Sequence, residues 1–336
     1  MAFSFDPGLL DLSQPESPSA VRGAVLPAGL LRVRLTAARR LRDGDRARAF
    51  TVPTVDFHQH LWPEPLIRAL ERRSEPPRLR GNRLELAAEP GGDVDLDGHL
   101  PERRVALLDR DEIEAAVISP SPSLDLEAHQ DLVDAFHEGI LDVAAASAGR
   151  FVPLAFSASL PGFAGACVPA GTLVRGADAL LGELSAAGQV LFVHPGPPTP
   201  APADAPAWWP AVVDYAAQMQ AAYAAWLARD ATRFPELPTI FAILAGGGPF
   251  QLERLRSRGV ELRTALHDNG YFDTASYERR AIELCLSTFG VTQLVYGSDT
   301  PVVDARPTLD AVRGFGEGVA DLVIGTNASR LLGHLS

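Results

Sequence analysis

Residues 51–60 read TVPTVDFHQH, a β-branched and aromatic run that ends in two histidines, His58 and His60. Such a run favours an extended strand. Side chains two positions apart on a strand share a face, so both imidazoles can bind one metal ion. A buried strand with polar side chains at its C-terminal end fits the wall of a parallel barrel, where the catalytic face is built at strand C-termini. Taken alone, the HxH pair is weak evidence, because paired surface histidines are common.

Outward from this stretch the chain alternates between apolar runs and helical patterns. Strands are expected at 115–119 (AAVIS), 150–157 (RFVPLAFS), 163–169 (FAGACVP), 189–196 (QVLFVHPG), 238–248 (PTIFAILAGGG), 269–276 (NGYFDTAS) and 292–299 (TQLVYGSD). Helical spacing covers 64–73, 101–114, 126–147, 176–187, 208–228, 249–258, 277–289, 308–316 and 326–335. Near-continuous apolar strands separated by helices argue for a parallel sheet covered on both faces. With the strand at 51–60 the runs number eight, which predicts an α/β fold of the (β/α)8 TIM-barrel type. One joint is strained. Only about five residues separate the runs at 150–157 and 163–169, whereas a parallel crossover needs about a dozen. Either the third crossover has lost its helix and the barrel is distorted there, or one run is not a barrel strand.

The barrel is expected over 51–336, preceded by an N-terminal extension at 1–50. Residues 1–20 are rich in Pro and Ser and read as a mobile terminus, while GLLRVRLT at 29–36 suits an edge or capping strand. The Pro/Gly-rich stretch 74–100 reads as an ordered surface excursion.

Composition narrows the function classes. The 336 residues are 46% hydrophobic and 21% charged with a net charge of −12, which describes a soluble globular chain with a sizeable core. That charge argues against nucleic acid or an anionic membrane as the main partner. No apolar stretch approaches the ~18 residues of a membrane helix, and residues 1–20 lack a charged segment followed by an apolar one. A cytoplasmic location is the expectation. Cys167 and Cys285 sit in apolar runs and read as small buried hydrophobes. The arginines between Arg32 and Arg48 read as a solvated segment in preference to an anion-binding arm. All 30 basic residues are arginine. A Schiff-base lysine, a P-loop lysine and a carbamylated lysine bridging two metals are therefore excluded.

Three expected strands end in metal ligands: His58 with His60, then His194, then Asp299. Three imidazoles and a carboxylate leave a position open for water, the pattern of a catalytic site. Each residue has a bland alternative, with His194 in a turn before Pro195 and Asp299 capping the next helix. Their joint placement at strand ends favours the metal site.

The segments VDFHQH (55–60), LFVHPG (191–196), LAGGGPF (244–250), YFDTAS (271–276), VYGSDTP (295–301) and NASRLLG (327–333) resemble the amidohydrolase superfamily. Within it, the resemblance is to the amidohydrolase-related group that includes aminocarboxymuconate-semialdehyde decarboxylase. It covers about residues 50–335. The resemblance implies a (β/α)8 barrel with one Zn²⁺, or Mn²⁺, held by His58, His60, His194 and Asp299, and a homodimer. The family usually carries a histidine just before the glycine run after strand six, which the decarboxylases use as acid or base; here that position is Ala245. Alanine moves no proton, so the expected chemistry is single-metal hydrolysis of a small amide, ester or lactone. In that reading the metal brings the pKa of bound water toward ~7. Asp299 and His194 are then the candidate catalytic residues, Asp299 as general base. Two alternatives stay open: a nonoxidative decarboxylase or C–C lyase, and a non-catalytic ligand-binding barrel.

Substrate contacts are expected from Trp62, directly after the HxH, from Trp208 (with Trp209) beyond the His194 strand, and from His267 as a stand-in for the missing histidine. Core or surface packing competes for each. Asp273 and Arg306 are further candidates to touch a polar substrate, and Asp56 is expected to hydrogen-bond within the barrel. Met219, Tyr223 and Trp226 sit at helical spacing as core. His99, His129, His137 and His334 show no partner pattern.

Overall fold

The computed structural model describes residues 52–87, 91–260 and 267–333. The N-terminal extension expected at 1–50, with its strand at 29–36, lies outside the described residues, as does His334. Eleven strands are present among the described residues: β1 (Val55–His60), β2 (Arg78–Arg80), β3 (Arg83–Glu85), β4 (Gly92–Asp93), β5 (Ala115–Ser119), β6 (Phe151–Phe156), β7 (Gly165–Pro169), β8 (Val190–His194), β9 (Thr239–Phe241), β10 (Gly270–Asp273) and β11 (Leu294–Val295). Eight form one parallel sheet in the order β1-β5-β6-β7-β8-β9-β10-β11. The ends of that sheet meet. Phe57 N–H donates to Tyr296 O (2.7 Å), Asp299 N–H to His58 O (2.8 Å) and His60 N–H to Thr300 O (2.8 Å), and Gln59 bridges Thr300 in parallel. The expected (β/α)8 barrel is what the chain forms. The short strands β2, β3 and β4 make an antiparallel sheet inside the excursion at 74–100.

The strained joint resolves in favour of a helix-less crossover. β6 and β7 are parallel neighbours, with Leu154 opposite Gly165 and Phe156 opposite Cys167, and residues 157–164 between them contain no helix. Two side chains from elsewhere replace it. Gln189 donates to Leu160 O (2.9 Å) and Phe163 O (2.8 Å) and accepts from the Ser159 hydroxyl (2.7 Å). His137, on the helix Gln130–Ala146, accepts the Phe156 N–H (2.8 Å) and lays its ring against Phe163 at 5.1 Å. Backbone groups that a crossover helix would have covered thereby find partners.

A second departure lies after β9. The apolar run 238–248 is strand only over Thr239–Phe241. From Ile243 to Gly247 the backbone turns left-handed, with φ of 47°, 51°, 52°, 61° and 89°, and then enters a helix that ends at Arg256. Hydrophobicity reads the same in a buried strand and in a buried turn, so the sequence pattern could not separate them. A left-handed residue other than Gly costs about 1–2 kcal/mol, and the surroundings hold the turn in place. Asp273 accepts the Ile243 N–H (2.9 Å), and the Gln220 amide donates to Gly246 O (2.7 Å). A Cβ at Gly246 would lie 2.3 Å from Ala216 O, so glycine is required there.

The remaining expectations on packing hold. Met219, Tyr223 and Trp226 are core, with Tyr223 against Phe241 and Phe272 at 5.3 and 5.5 Å. The helix Tyr215–Ala225 that carries the first two is extended by wider π-helical turns at Pro210–Asp214 and Trp226–Asp230. Both cysteines are buried and unpaired. Among the described residues no helix is long and apolar enough to cross a membrane.

Candidate metal centre

The register of β1 against β5 slips between Asp56 and Gln59, and such an irregularity re-aims side chains. Phe57 and His58, though adjacent, therefore both reach the Phe192 ring on β8, at 6.2 and 5.0 Å. His58 and His60 then stand edge-on to each other and to His194 at the end of β8, with ring centroids 5.0 to 5.1 Å apart. Asp299 completes the group: its Oδ1 is 3.5 Å from His58 Nε2 and 3.3 Å from His60 Nε2. One ligand atom from each of the four lies within 4.8 Å of all the others.

The sequence GSD at 297–299 is explained by this crowding. A Cβ on Gly297 would come within 2.8 Å of His58 Cβ and 3.1 Å of Asp273 Cβ, so only glycine lets the chain beyond β11 run past these two side chains. Ser298 caps the bend, its hydroxyl accepting the Thr300 N–H (3.0 Å) while its own N–H goes to Asp56. Asp299 adopts a left-handed φ of 62°, a conformation Asp tolerates better than most residues, and this swings its carboxylate toward the histidines.

Whether these residues suit a metal ion is decided by their other nitrogens. His58 Nδ1 faces Asp273 Oδ2 at 2.7 Å, His60 Nδ1 faces Ser119 O and the Ser119 hydroxyl, both at 3.1 Å, and His194 Nδ1 faces Pro195 O at 2.8 Å. Carboxylate and carbonyl oxygens only accept, so each Nδ1 carries the proton and each Nε2 turns its lone pair inward. His58 Nε2 and His60 Nε2 approach to 3.2 Å. Converging lone pairs and a carboxylate repel unless a cation sits among them, and this nitrogen and oxygen donor set suits a Zn²⁺-like ion. The residues fit a single divalent metal.

The protonation energetics of the metal-free cluster agree. Burial disfavours a charged His58, yet the Asp273 and Asp299 carboxylates outweigh it and raise its pKa to about 9. His194 is held well below the usual histidine range by burial and by the charge on His58 and His60. Burial pushes Asp299 up, but the surrounding histidines win and its carboxyl is lowered. One proton held by His58 thus does what a cation would do, and a bound metal ion would displace it.

Several supporting residues were not assigned these roles from sequence. Asp273, a candidate substrate contact, is fully buried behind His58; its Oδ1 also accepts the Ile243 and Ala275 N–H groups, at 2.9 and 3.0 Å. It orients His58, as carboxylates behind metal-binding histidines do. Gln59, between the two histidines, donates to Asp56 (2.6 Å) and accepts from the buried Arg104, which also donates to His60 O (2.8 Å) and Thr300 O (3.0 Å). Arg104 therefore ties the first strand to the last. Its only forewarning was an arginine on the apolar side of an amphipathic helix. Asp56 accepts from His58 N–H and Ser298 N–H as well, which keeps it within the barrel wall as expected.

Trp62 stacks on His99 at 4.6 Å and 11°, donates its indole N–H to Ser121 (3.0 Å) and its backbone N–H to His99 Nδ1 (3.1 Å). His99, which had no sequence pattern, is thus a buried neighbour of the HxH loop. Burial, then Arg104 and His60, lower its pKa to about 3 and keep it neutral. Trp208 is 56% exposed and stacked on Trp209 at 6.2 Å, on the chain that leaves the His194 end of β8. His267 is not brought to the cluster: it precedes β10 at the strand end away from Asp273, with its ring against Trp226 at 5.6 Å. Arg306 is exposed at the start of the helix Arg306–Arg313. Ala245 is completely buried inside the left-handed turn.

A scan against protein-family models finds no match, and a search of curated proteins finds none either. Solved structures do match. The IDCase of Metarhizium anisopliae in its apo form is 21% identical, with a TM-score of 0.71 over 84% of this chain and 98% of that one. The 5-carboxyvanillate decarboxylase from Sphingomonas paucimobilis is 16% identical, with a TM-score of 0.67 over 84% of this chain and 99% of that one. The 5-carboxyvanillate decarboxylase from Novosphingobium aromaticivorans, complexed with manganese and 4-hydroxy-3-methoxy-5-nitrobenzoic acid, is 16% identical, with a TM-score of 0.64 over 84% of this chain and 97% of that one. At these identities the likeness is one of fold: the chain has the barrel fold of these proteins over nearly their whole length.

Proposed function

We propose that the chain is a mononuclear divalent-metal enzyme of the amidohydrolase superfamily that decarboxylates a small aromatic or enoic acid without oxidation. One observation carries the reading: four inward-facing ligands at the strand ends of a barrel whose solved likenesses include decarboxylases. This reverses the order of preference drawn from Ala245 alone. The manganese in one of those structures supports Mn²⁺ beside Zn²⁺ as the ion.

When bound, the ion supplies a fixed positive charge that draws in a substrate carboxylate and stabilises the negative charge that develops as the C–C bond breaks. The chain's own groups supply the rest. Asp273, Ser119 and Pro195 fix the three rings, so the site needs no rearrangement when substrate arrives. As CO₂ leaves, the bonding electron pair stays on the substrate carbon and a proton fills the valence, so that R–COO⁻ and H⁺ give R–H and CO₂. We assign the delivery of that proton to Asp299. Its side chain is 15% exposed where His58 is fully enclosed, so it can take a proton from solvent and face the substrate.

Hydrolysis of a small ester, amide or lactone is the second reading, and Ala245 favours it. Hydrolysis asks only for a general base at Asp299, and His267 lies at the wrong end of its strand to replace an acid. A panel of hydroxybenzoates and simple esters and lactones, offered to the metal-loaded protein, separates the two. The proposal expects CO₂ release from a hydroxybenzoate that is lost in Asp299→Asn. Acid release from esters with no CO₂ from any carboxylate would overturn it in favour of hydrolysis.

A further inference from the structure

Arg104, on the helix Pro101–Arg110, is 1% exposed and the bulkiest side chain so fully enclosed among the described residues. Its neighbour Arg103 turns outward, 58% exposed and paired with Asp97 at 3.1 Å. A helix packed against a barrel ordinarily presents an apolar side chain at such a position, as this one does a turn later with Leu108. We propose that Arg104 is a positioning residue for the metal centre, whose guanidinium sets the placement of Asp299 against His58 and His60. The inference rests on the reading of His58, His60, His194 and Asp299 as ligands of one ion.

The guanidinium directs its donors to the chain beside those residues. Nη1 donates to His60 O (2.8 Å), and Nη2 donates to Thr300 O (3.0 Å) and to the Gln59 side-chain oxygen. Thr300 directly follows Asp299, and Gln59 stands between His58 and His60. One planar fork thus holds the backbone at three of the four ligands, across the line where the first and last strands meet. A longer contact from Nη1 to Gly98 O (3.4 Å) joins it to the turn that carries His99.

Asp299 is the ligand that needs such support. Each histidine has a partner on its far nitrogen, whereas the contacts of the Asp299 carboxylate among the described residues are with His58 and His60. Its direction is therefore set by its backbone, at a left-handed φ of 62°. β11 is regular only over Leu294–Val295, so beyond it the seam depends on single bonds. Asp299 N–H meets His58 O, His60 N–H meets Thr300 O, and the Ser298 hydroxyl accepts the Thr300 N–H. Arg104 shares Thr300 O with His60 N–H and holds His60 O beside it, which locks the seam at the level of the ligands.

Arg104 is also a poor source of plain stability. Its charge is met by carbonyl oxygens, and its Nε–H is buried with no acceptor among the described residues. A buried cation so incompletely paired stabilises no better than an apolar side chain of similar size. The fixed geometry of its fork is what an apolar side chain cannot replace.

The test strips the full chain of metal and titrates it with Zn²⁺ and with Co²⁺ against a chelating dye. Arg104→Lys keeps the charge and most of the stem but loses the fork; Arg103→Lys is the control on the same helix. Arg104→Lys is expected to weaken both ions at least about tenfold and to shift the visible absorption bands of the Co²⁺-loaded protein. Arg103→Lys is expected to match the wild type in both. Arg104→Gln is read in the same way if the lysine variant does not fold. Denaturant unfolding of the metal-free samples separates positioning from stability. A folded Arg104 variant with affinity within about twofold of wild type and an unchanged Co²⁺ spectrum would overturn the proposal, however far its unfolding midpoint falls. Binding of neither ion by the wild type would instead refute the ligand reading, and the proposal with it.

Discussion

Replacing Asp273 by asparagine tests the internal logic of the metal centre without touching a ligand. Asp273 divides its two oxygens: Oδ2 receives the His58 Nδ1 proton at 2.7 Å, and Oδ1 receives the Ile243 and Ala275 N–H groups at 2.9 and 3.0 Å. An amide cannot do both. If its oxygen stays on the two backbone donors, its NH₂ faces Nδ1, which must then give up its proton and become the acceptor. The remaining ring proton moves to Nε2, onto the lone pair that the metal needs. If the amide flips, two buried backbone donors face an NH₂ group, which costs about 1–3 kcal/mol. Loss of an oriented partner behind a metal histidine typically lowers affinity about 10- to 100-fold, or about 1.4–2.7 kcal/mol. The assay is competition with a chelating dye, for Zn²⁺ and Mn²⁺ separately. The pH dependence adds a second readout. Below about 9 the metal-free protein keeps a proton on His58 that the metal displaces, so wild-type affinity should rise about tenfold per pH unit up to that point. The same raised pKa gives the metal-free fold a stability contribution that is complete below pH ~6.5 and lost as pH rises through about 9. In Asp273→Asn the rise in affinity should level off at lower pH. Affinity within twofold of wild type, with an unchanged pH profile, would refute this account of Asp273.

Three further predictions follow from single contacts. Gln189→Ala removes the brace of the helix-less crossover and strands the Leu160 and Phe163 carbonyls, so denaturant unfolding should show a loss of about 2–4 kcal/mol, with metal affinity unchanged. Gly297→Ala forces a methyl to within 2.8 Å of His58 Cβ; it should lower metal affinity at least about tenfold while the barrel remains folded by circular dichroism. His99 is held neutral with a pKa of about 3. Its contribution to stability is therefore present above pH ~6.5 and lost as pH falls toward 3, and its ring nitrogens should show no titration by NMR between pH 7 and 4.

The four clustered residues His58, His60, His194 and Asp299 were legible in the sequence because each depends only on local chain. HxH on a strand, a histidine before Pro-Gly and GSD after an apolar run each place a side chain at a strand end, and the barrel brings strand ends together. The supporting residues were not legible, because their roles depend on long-range contacts. Asp273 could be read as facing substrate or facing His58, and only the packing of β10 beside β11 and β1 decides. Gln189 and His137 look like ordinary polar residues until β6 and β7 are seen joined without a helix. The run at 238–248 misled for a different reason: hydrophobic pattern carries no information about the sign of φ, and the left-handed turn is held by Asp273, Gln220 and the backbone of Ala216. Ala245 was noticed for what its side chain lacks, whereas the structure shows a position enclosed by that turn. A histidine introduced there would have to displace its neighbours before it could reach the metal.

The central claim, that His58, His60, His194 and Asp299 hold one metal ion, is tested most directly by elemental analysis of the protein purified without added metal. The account predicts about one equivalent of zinc or manganese in the wild-type chain and its loss in His58→Ala. Less than about half an equivalent in the wild type, unchanged by that substitution, would contradict it.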